Sequence, residues 1–360
     1  MSTPRTIYQP LHPSIRPLLD PEYVALHDSV IQYVLPTEHP SAQWTPVSRS
    51  KPSAMAHCVQ RPIPVGAVHD LTPSTESFQA RVYVPSGDAP EGEQGWPALV
   101  WFHGGGWVNG GLASEAGFLS HLCHYLQCVV ITINYRHAPE HVFPTAHDDA
   151  LAGWRWATDP ATAGLPKLDL DRVAIGGLSA GGNLAISTAL QATTADPLSQ
   201  PTTTRPIFQL LICPVIDNTA TPETAWATSL HSPFLTPGRM EWYRQRYFAE
   251  PAHREEWTAS PCYAPEDALG RLPPTFMAIA GCDLLAPEER AFAALLEGAG
   301  VPVEGRVYEG VTHSVLVLAG VHKLGKEVVH DASAALAKAF GRVYDRERAP
   351  VLGLLAEDAD

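Results

Sequence analysis

Apolar and polar positions along this chain fall into two alternating rhythms. Short runs dense in Val, Ile, Leu and Ala recur at 96–102, 128–134, 172–176, 207–213, 275–280 and 303–308, and each reads as a buried strand. A further run at 78–84 alternates apolar with polar, as a half-buried strand does. Between the runs lie stretches with helical spacing, predicting helices at 114–126, 145–158, 183–190, 287–298 and 322–344. Strand and helix in regular alternation argue a mostly parallel sheet covered on both faces.

The alternation fails in two places. Residues 1–60 are rich in proline and polar side chains. One amphipathic helix is expected there at 21–34, with Tyr23, Leu26, Val30 and Val34 near helical spacing. Residues 215–273 are rich in Pro, Thr, Trp and Tyr, with one helix expected at 239–247. The chain therefore divides into an N-terminal arm (1–60), a first part of the core (61–214), an inserted cap (215–273), a second part of the core (274–348) and a tail (349–360). The arm is expected to contribute to the cap.

Composition narrows the function. With 360 residues, 45% hydrophobic and 17% charged, the chain suits one large α/β domain with an insertion. A net charge of -14 and the lack of any basic run argue against a nucleic-acid partner. No apolar run approaches a membrane span, and the N-terminal stretch lacks the apolar segment of a secretory signal. The six cysteines show no CxxC spacing and read as small buried hydrophobes. A reducing, cytoplasmic location is the expectation. Oligomeric state is not readable.

Two glycine-rich segments carry the chemistry. Gly177-Leu178-Ser179-Ala180-Gly181 sets a serine between glycines at a strand-to-helix junction, where the backbone must bend sharply and the hydroxyl stands at a helix N-terminus. His103-Gly104-Gly105-Gly106-Trp107 follows a strand and offers a run of backbone N–H groups that can face a developing oxyanion. A serine hydroxyl is a poor nucleophile until a base takes its proton, so a histidine and a residue to orient it are required. Asp283 follows the strand at 275–280 and His313 follows the last strand, both at the sheet edge that carries Ser179. Asp217 is the rival acid, because it too follows a strand. His137-Ala138-Pro139-Glu140-His141 matches the H-x-x-E-H pattern of some zinc proteases, but Pro139 disfavours the helix that would put both histidines on one face. No metal or other cofactor is expected.

With these motifs the chain resembles the hormone-sensitive-lipase-like branch of the α/β-hydrolases, which includes many microbial and fungal esterases. The resemblance rests on His103–Trp107, on Tyr135-Arg136-His137-Ala138-Pro139-Glu140-His141-Val142-Phe143-Pro144, on Gly177–Gly182, on Asp283-Leu284-Leu285 and on His313. It implies an α/β-hydrolase fold with a mostly parallel central sheet, helices on both faces and a helical cap. It implies Ser179 as nucleophile, His313 as base and Asp283 as orienting acid. The oxyanion hole would come from the Gly104–Gly106 run, Gly105 and Gly106 foremost, with the N–H of Ala180; His103 would be structural. Trp107, Leu178 and Val315 are the expected substrate-binding residues. Trp226, Trp242 and Trp257 in the insertion suggest, with Trp107, an apolar and partly enclosed pocket.

Many members carry Asp before the nucleophile where this chain has Leu178, and Gly-Phe after the histidine where it has Ser314-Val315. These departures alter the pocket wall and leave the catalytic groups in place. The expected activity is hydrolysis of carboxylic esters of small to medium apolar substrates through an acyl-enzyme. Amide, arylformamide or lactone hydrolysis, or acyl transfer in a biosynthetic pathway, would use the same residues. A non-catalytic ligand-binding protein on this scaffold is the reading from another class.

Overall fold

The computed structural model describes residues 5–50, 55–74, 76–89, 93–194 and 204–354. Its centre is an eight-stranded sheet: β1 (Ala67–Leu71), β2 (Gln79–Val84), β3 (Trp96–Phe102), β4 (Val129–Asn134), β5 (Leu168–Leu178), β6 (Gln209–Ile212), β7 (Thr275–Ala280) and β8 (Val303–Tyr308). The strand order is β1-β2-β4-β3-β5-β6-β7-β8. β2 runs antiparallel to both β1 and β4, and β3 to β8 are parallel to one another.

The helices are α1 (Pro21–Ser29), α2 (Ala116–Leu126), α3 (Thr145–Thr158), α4 (Ala180–Thr194), α5 (Pro237–Tyr247), α6 (Glu266–Leu269), α7 (Ala286–Gly298) and α8 (Lys323–Ala339). Central strands are apolar on both faces because both faces are covered: every residue of β3, β6 and β7 is buried. One face packs on α2 and α8 through Leu122, Leu126, Val328 and Leu336. The other packs on α3, α4 and α7 through Trp154, Leu184, Ile186 and Phe292. A third cluster joins Leu19, Tyr23 and Ile31 from the N-terminal region to Cys282 and Leu318. That cluster seats α1 against the two loops that carry Asp283 and His313.

Several elements differ from the sequence expectation. β1 is unforeseen: its middle residues, Val68-His69-Asp70, are exposed on an edge strand, so no apolar rhythm marks it. β5 begins four residues before the expected start, because the polar Leu168–Arg172 stretch pairs irregularly with Trp96. The expected helix at 21–34 ends at Ser29, and a 3₁₀ turn at Ile31–Tyr33 follows the non-helical Val30. α8 stops at Ala339; Gly341, with φ +67°, turns the chain so that Arg342 N–H meets Ala337 O at 2.8 Å. The start of the expected tail is packed: Val351 is buried and Gly353 bridges to Gln60. Residues 355–360 of that tail lie outside the described residues. No helix among the described residues is long and apolar enough to cross a membrane.

Candidate active site

Ser179 sits between the last residue of β5 and the first of α4 with φ +56°, a left-handed backbone that a non-glycine residue rarely adopts. The neighbours make this bend possible. A Cβ on Gly181 would lie 1.9 Å from Phe102 O, and one on Gly177 would lie 2.2 Å from the carbonyl carbon of Gly181. Only glycine fits either place. Ser179 N–H donates to Ile212 O at 2.9 Å, which pins the bend to the neighbouring strand β6.

Ser179 Oγ lies 2.8 Å from His313 Nε2, and His313 Nδ1 lies 2.6 Å from Asp283 Oδ2. A carboxylate only accepts, so Nδ1 carries the hydrogen and Nε2 is left to accept from the serine hydroxyl. All three side chains are buried, Asp283 most deeply. Asp217 is not part of the relay; its Oδ1 accepts from Thr219 N and Oγ1 and caps a local turn.

The glycine run after β3 faces the same place. The N–H groups of Gly105 and Gly106 make no turn or loop hydrogen bond among the described residues, and Ala180 N–H opens α4. Gly104 differs from the expectation: its N–H donates to Glu115 Oε1 at 3.4 Å, so it is directed at a side chain. His103 is fully buried, stacks on Tyr135 at 4.4 Å and is held neutral by burial, which pushes its pKa down to about 4. Tyr135 O–H donates to His103 O at 2.9 Å, fixing the root of the glycine run.

A cavity of about 320 Å³ opens beside Ser179. Leu178, Val215, Phe234, Leu235, Met240 and Val317 form its apolar side; Asn109, Ser114, Glu115, Arg239 and Tyr243 form its polar side. The Tyr243 ring lies so close to Gly106 that a Cβ there would come within 2.4 Å of it. Leu178 lines the cavity. Trp107 and Val315 do not. Trp107 has 0% exposure and stacks on Tyr247 at 4.5 Å with the rings 5° from parallel. Val315 packs in the cluster beneath α8, and Val317 two residues on takes the wall position. The insertion tryptophans are also packing residues. Trp226 lies under the Arg244 guanidinium, 4.4 Å from its centre, and Trp242 stacks with Arg246 and meets Trp44 edge-on.

The sequence did not mark the polar ties around the site. Arg239 on α5 donates to Glu38 Oε2 at 2.8 Å and Gln9 Oε1 at 3.2 Å, and also to Phe234 O. It joins the insertion to the N-terminal region at the cavity wall. Arg49 forms a two-point pair with Glu140, both contacts at 2.7 Å, and reaches the carbonyls of Val108 and Ala138. Glu140 is thereby committed to an arginine, and His137 stacks near His103 in a loop, so the H-x-x-E-H residues do not share a helical face. Glu288 accepts from the N–H groups of Ile216 and Asp217 and from Trp226 Nε1; burial pushes its acid up to about 7. His147 bridges Tyr247 O–H and Asn183 Oδ1, and burial lowers its pKa to about 4.

Among the described residues, two groups of side chains are tight enough to hold a metal ion, and both have other partners. His313 and Asp283, with Cys213, form one, and there the histidine is engaged by Asp283 and Ser179. Asp20, Glu22 and His322 form the other, and Lys323 Nζ lies 3.0 Å from Asp20.

Residues 99–317 match the family model described as "alpha/beta hydrolase fold", and residues 36–153 match a "Carboxylesterase family" model. The chain belongs to the α/β-hydrolase family, in its hormone-sensitive-lipase-like branch. Among its relatives, an AB hydrolase superfamily protein of Schizosaccharomyces pombe is 34% identical over 92% of this chain and 97% of its own. An ethyl acetate hydrolase of Pseudomonas putida is 34% identical over 71% of this chain and 77% of its own. A solved thermostable esterase from Pseudomonas putida superposes with a TM-score of 0.75 at 27% identity, covering 90% of this chain and 98% of the other. On these relatives and this fold, the protein is a carboxylic-ester hydrolase.

Proposed function

We propose that Ser179, His313 and Asp283 are the catalytic triad of this esterase, and that it hydrolyses small to medium, mainly apolar carboxylic esters through an acyl-enzyme. The observation that carries this reading is the continuous relay from Ser179 Oγ through His313 to Asp283, with contacts of 2.8 and 2.6 Å. In this reading His313 Nε2 takes the serine proton as Oγ attacks the ester carbonyl. Asp283 holds the ring and offsets the charge that forms on it. The carbonyl oxygen, now negative, is met by the N–H groups of Gly105, Gly106 and Ala180. His313 then protonates the departing alcohol, and water repeats the sequence to release the acid.

The cavity supports the size class. About 320 Å³ is at the low end for a ligand pocket, which favours a short or medium acyl chain over a long triglyceride. Residues 215–273 and the N-terminal arm act as the cap in this reading, since Phe234, Leu235, Met240 and Tyr243 from the insertion line the cavity and Arg239 ties them to Gln9 and Glu38. The test is a substrate panel of short- and long-chain p-nitrophenyl esters, lactones and N-formylkynurenine, with Ser179→Ala as control. Turnover concentrated in the short and medium esters, and absent from the variant, is the expected result. A preference for the lactone or the formamide would move the assignment to those bonds, and turnover by Ser179→Ala would overturn the triad.

A further inference from the structure

The cavity beside Ser179 has one acidic side chain on its wall, Glu115. The loop from the glycine run delivers it to the N-terminal end of α2 with φ +51°, in the left-handed region that Ser179 and Phe234 on the same cavity wall also occupy. Backbone strain of this kind persists where surrounding structure fixes it, and it gathers at functional sites. The carboxyl points into the layer under the glycine run. Oε1 accepts from Gly104 N–H at 3.4 Å, and Oε2 accepts from Trp101 Nε1 at 3.3 Å. Leu178 packs beside Gly104 as well and offers no charge.

The charged and titratable groups facing Glu115 give it no cation of its own. Tyr83 of β2 and Tyr135 beyond β4 lie behind it, and Arg81 behind Tyr83 is paired with Asp70. His103 is held neutral by burial. Arg239 and His313 share the cavity wall, but Arg239 is paired with Glu38 and His313 with Asp283. Burial pushes the Glu115 acid up to about 7.

We propose that Glu115 is a positioning residue: it braces the glycine run through Gly104, and acyl transfer requires it in the protonated, neutral form. The physical reason is placement. An ionised Glu115 would put a negative charge next to the amides that must meet the oxyanion, in a partly enclosed site where water screens it less than at the open surface. The neutral acid keeps the hydrogen-bonded brace without that opposing charge. The proposal rests on the reading of Ser179 as nucleophile.

The experiment is a pH profile of kcat from pH 6 to 9.5, followed by pH-stat on an alkyl butyrate, for wild type, Glu115→Gln, Glu115→Asp and Ser179→Ala. The kcat profile reports ionisations in the substrate-loaded enzyme. Wild type is expected to fall by about tenfold to a lower plateau as Glu115 ionises, as charge opposing an oxyanion hole should cause. Glu115→Gln should lose that alkaline decline, and Glu115→Asp should keep it with a moved midpoint. A flat wild-type profile, or a folded Glu115→Gln variant that keeps the wild-type decline, overturns the proposal. If Glu115→Gln does not fold, the wild-type and Glu115→Asp profiles decide: an unmoved midpoint in a folded Asp variant, or no decline in wild type, overturns it. Turnover by Ser179→Ala would instead sink the underlying triad reading.

Discussion

The central sheet and the segments that roof the cavity are held by different balances of apolar packing and polar ties. Strands β3, β6 and β7 are buried throughout, and their apolar faces meet apolar helices. The roof also buries apolar residues, Trp226, Met240 and Tyr247 among them, but adds a set of charged and hydrogen-bonded ties. Arg244 donates to Asp217 O and Ala220 O at 2.7 Å while lying over Trp226, and Arg239 joins α5 to the N-terminal arm. The sheet needs close packing to place three loops at one edge within hydrogen-bond reach. The roof closes over them, and its polar ties add direction to the apolar packing of Trp226, Met240, Tyr247 and Phe248. In the proposed reading, chemistry lies with the sheet and substrate choice with the roof.

The largest expected effect is on the chemistry. Ser179→Ala should lower kcat by about 10⁴-fold or more, as loss of a nucleophile typically does, with the thermal midpoint nearly unchanged. Stopped-rate assays beside thermal melts check both halves. Next is the packing that makes the bend: Gly181→Ala forces a Cβ to 1.9 Å from Phe102 O. It should cost about 4 kcal/mol or more, or prevent folding. Urea denaturation measures it, and a loss under about 1 kcal/mol would show that the bend is not set by close approach.

In the roof, Arg244→Met should cost about 3 kcal/mol, because two carbonyls lose their donor and buried Glu288 loses a neighbouring positive charge. The same denaturation series reads it. Glu115 adds a pH-dependent contribution with a definite sign. Its folded-state acid is raised from 4.5 to about 7, so the protein holds that proton more tightly folded than unfolded. The stability this contributes is full below about pH 4.5 and is lost as pH rises through 7, a change of about 3 kcal/mol. Glu115→Gln should flatten that part of the thermal-midpoint curve between pH 5 and 8. Smallest is Arg239→Gln, which should raise KM by about three- to tenfold with little change in kcat, since binding contacts move and the relay does not. A fall in kcat as large as the rise in KM would mean that the roof also positions the relay.

Legibility in the sequence follows the same divide. The buried strands are legible in composition, and the relay of Ser179, Asp283 and His313 is legible because each member stands just after such a strand. β1 could not be read, because an exposed edge strand carrying His69 and Asp70 has no apolar rhythm. Trp107 and Val315 stand next to the site in sequence, but the stacking of Trp107 on Tyr247 and the burial of Val315 under α8 are tertiary facts. Arg239, Arg244 and Glu115 looked like ordinary polar residues, since their partners lie far away in the chain or, for Glu115, across a loop whose shape sequence does not reveal. Close approach was legible only at the glycines flanking Ser179, where the motif itself demands it.

The central claim is tested most directly by treating the native enzyme with a fluorophosphonate and locating the adduct by peptide mass spectrometry. The account predicts one equivalent of label per chain, on Ser179, with loss of esterase activity in proportion to labelling. Folded, active enzyme that resists the reagent, or inactivation with the adduct on another residue, would contradict it.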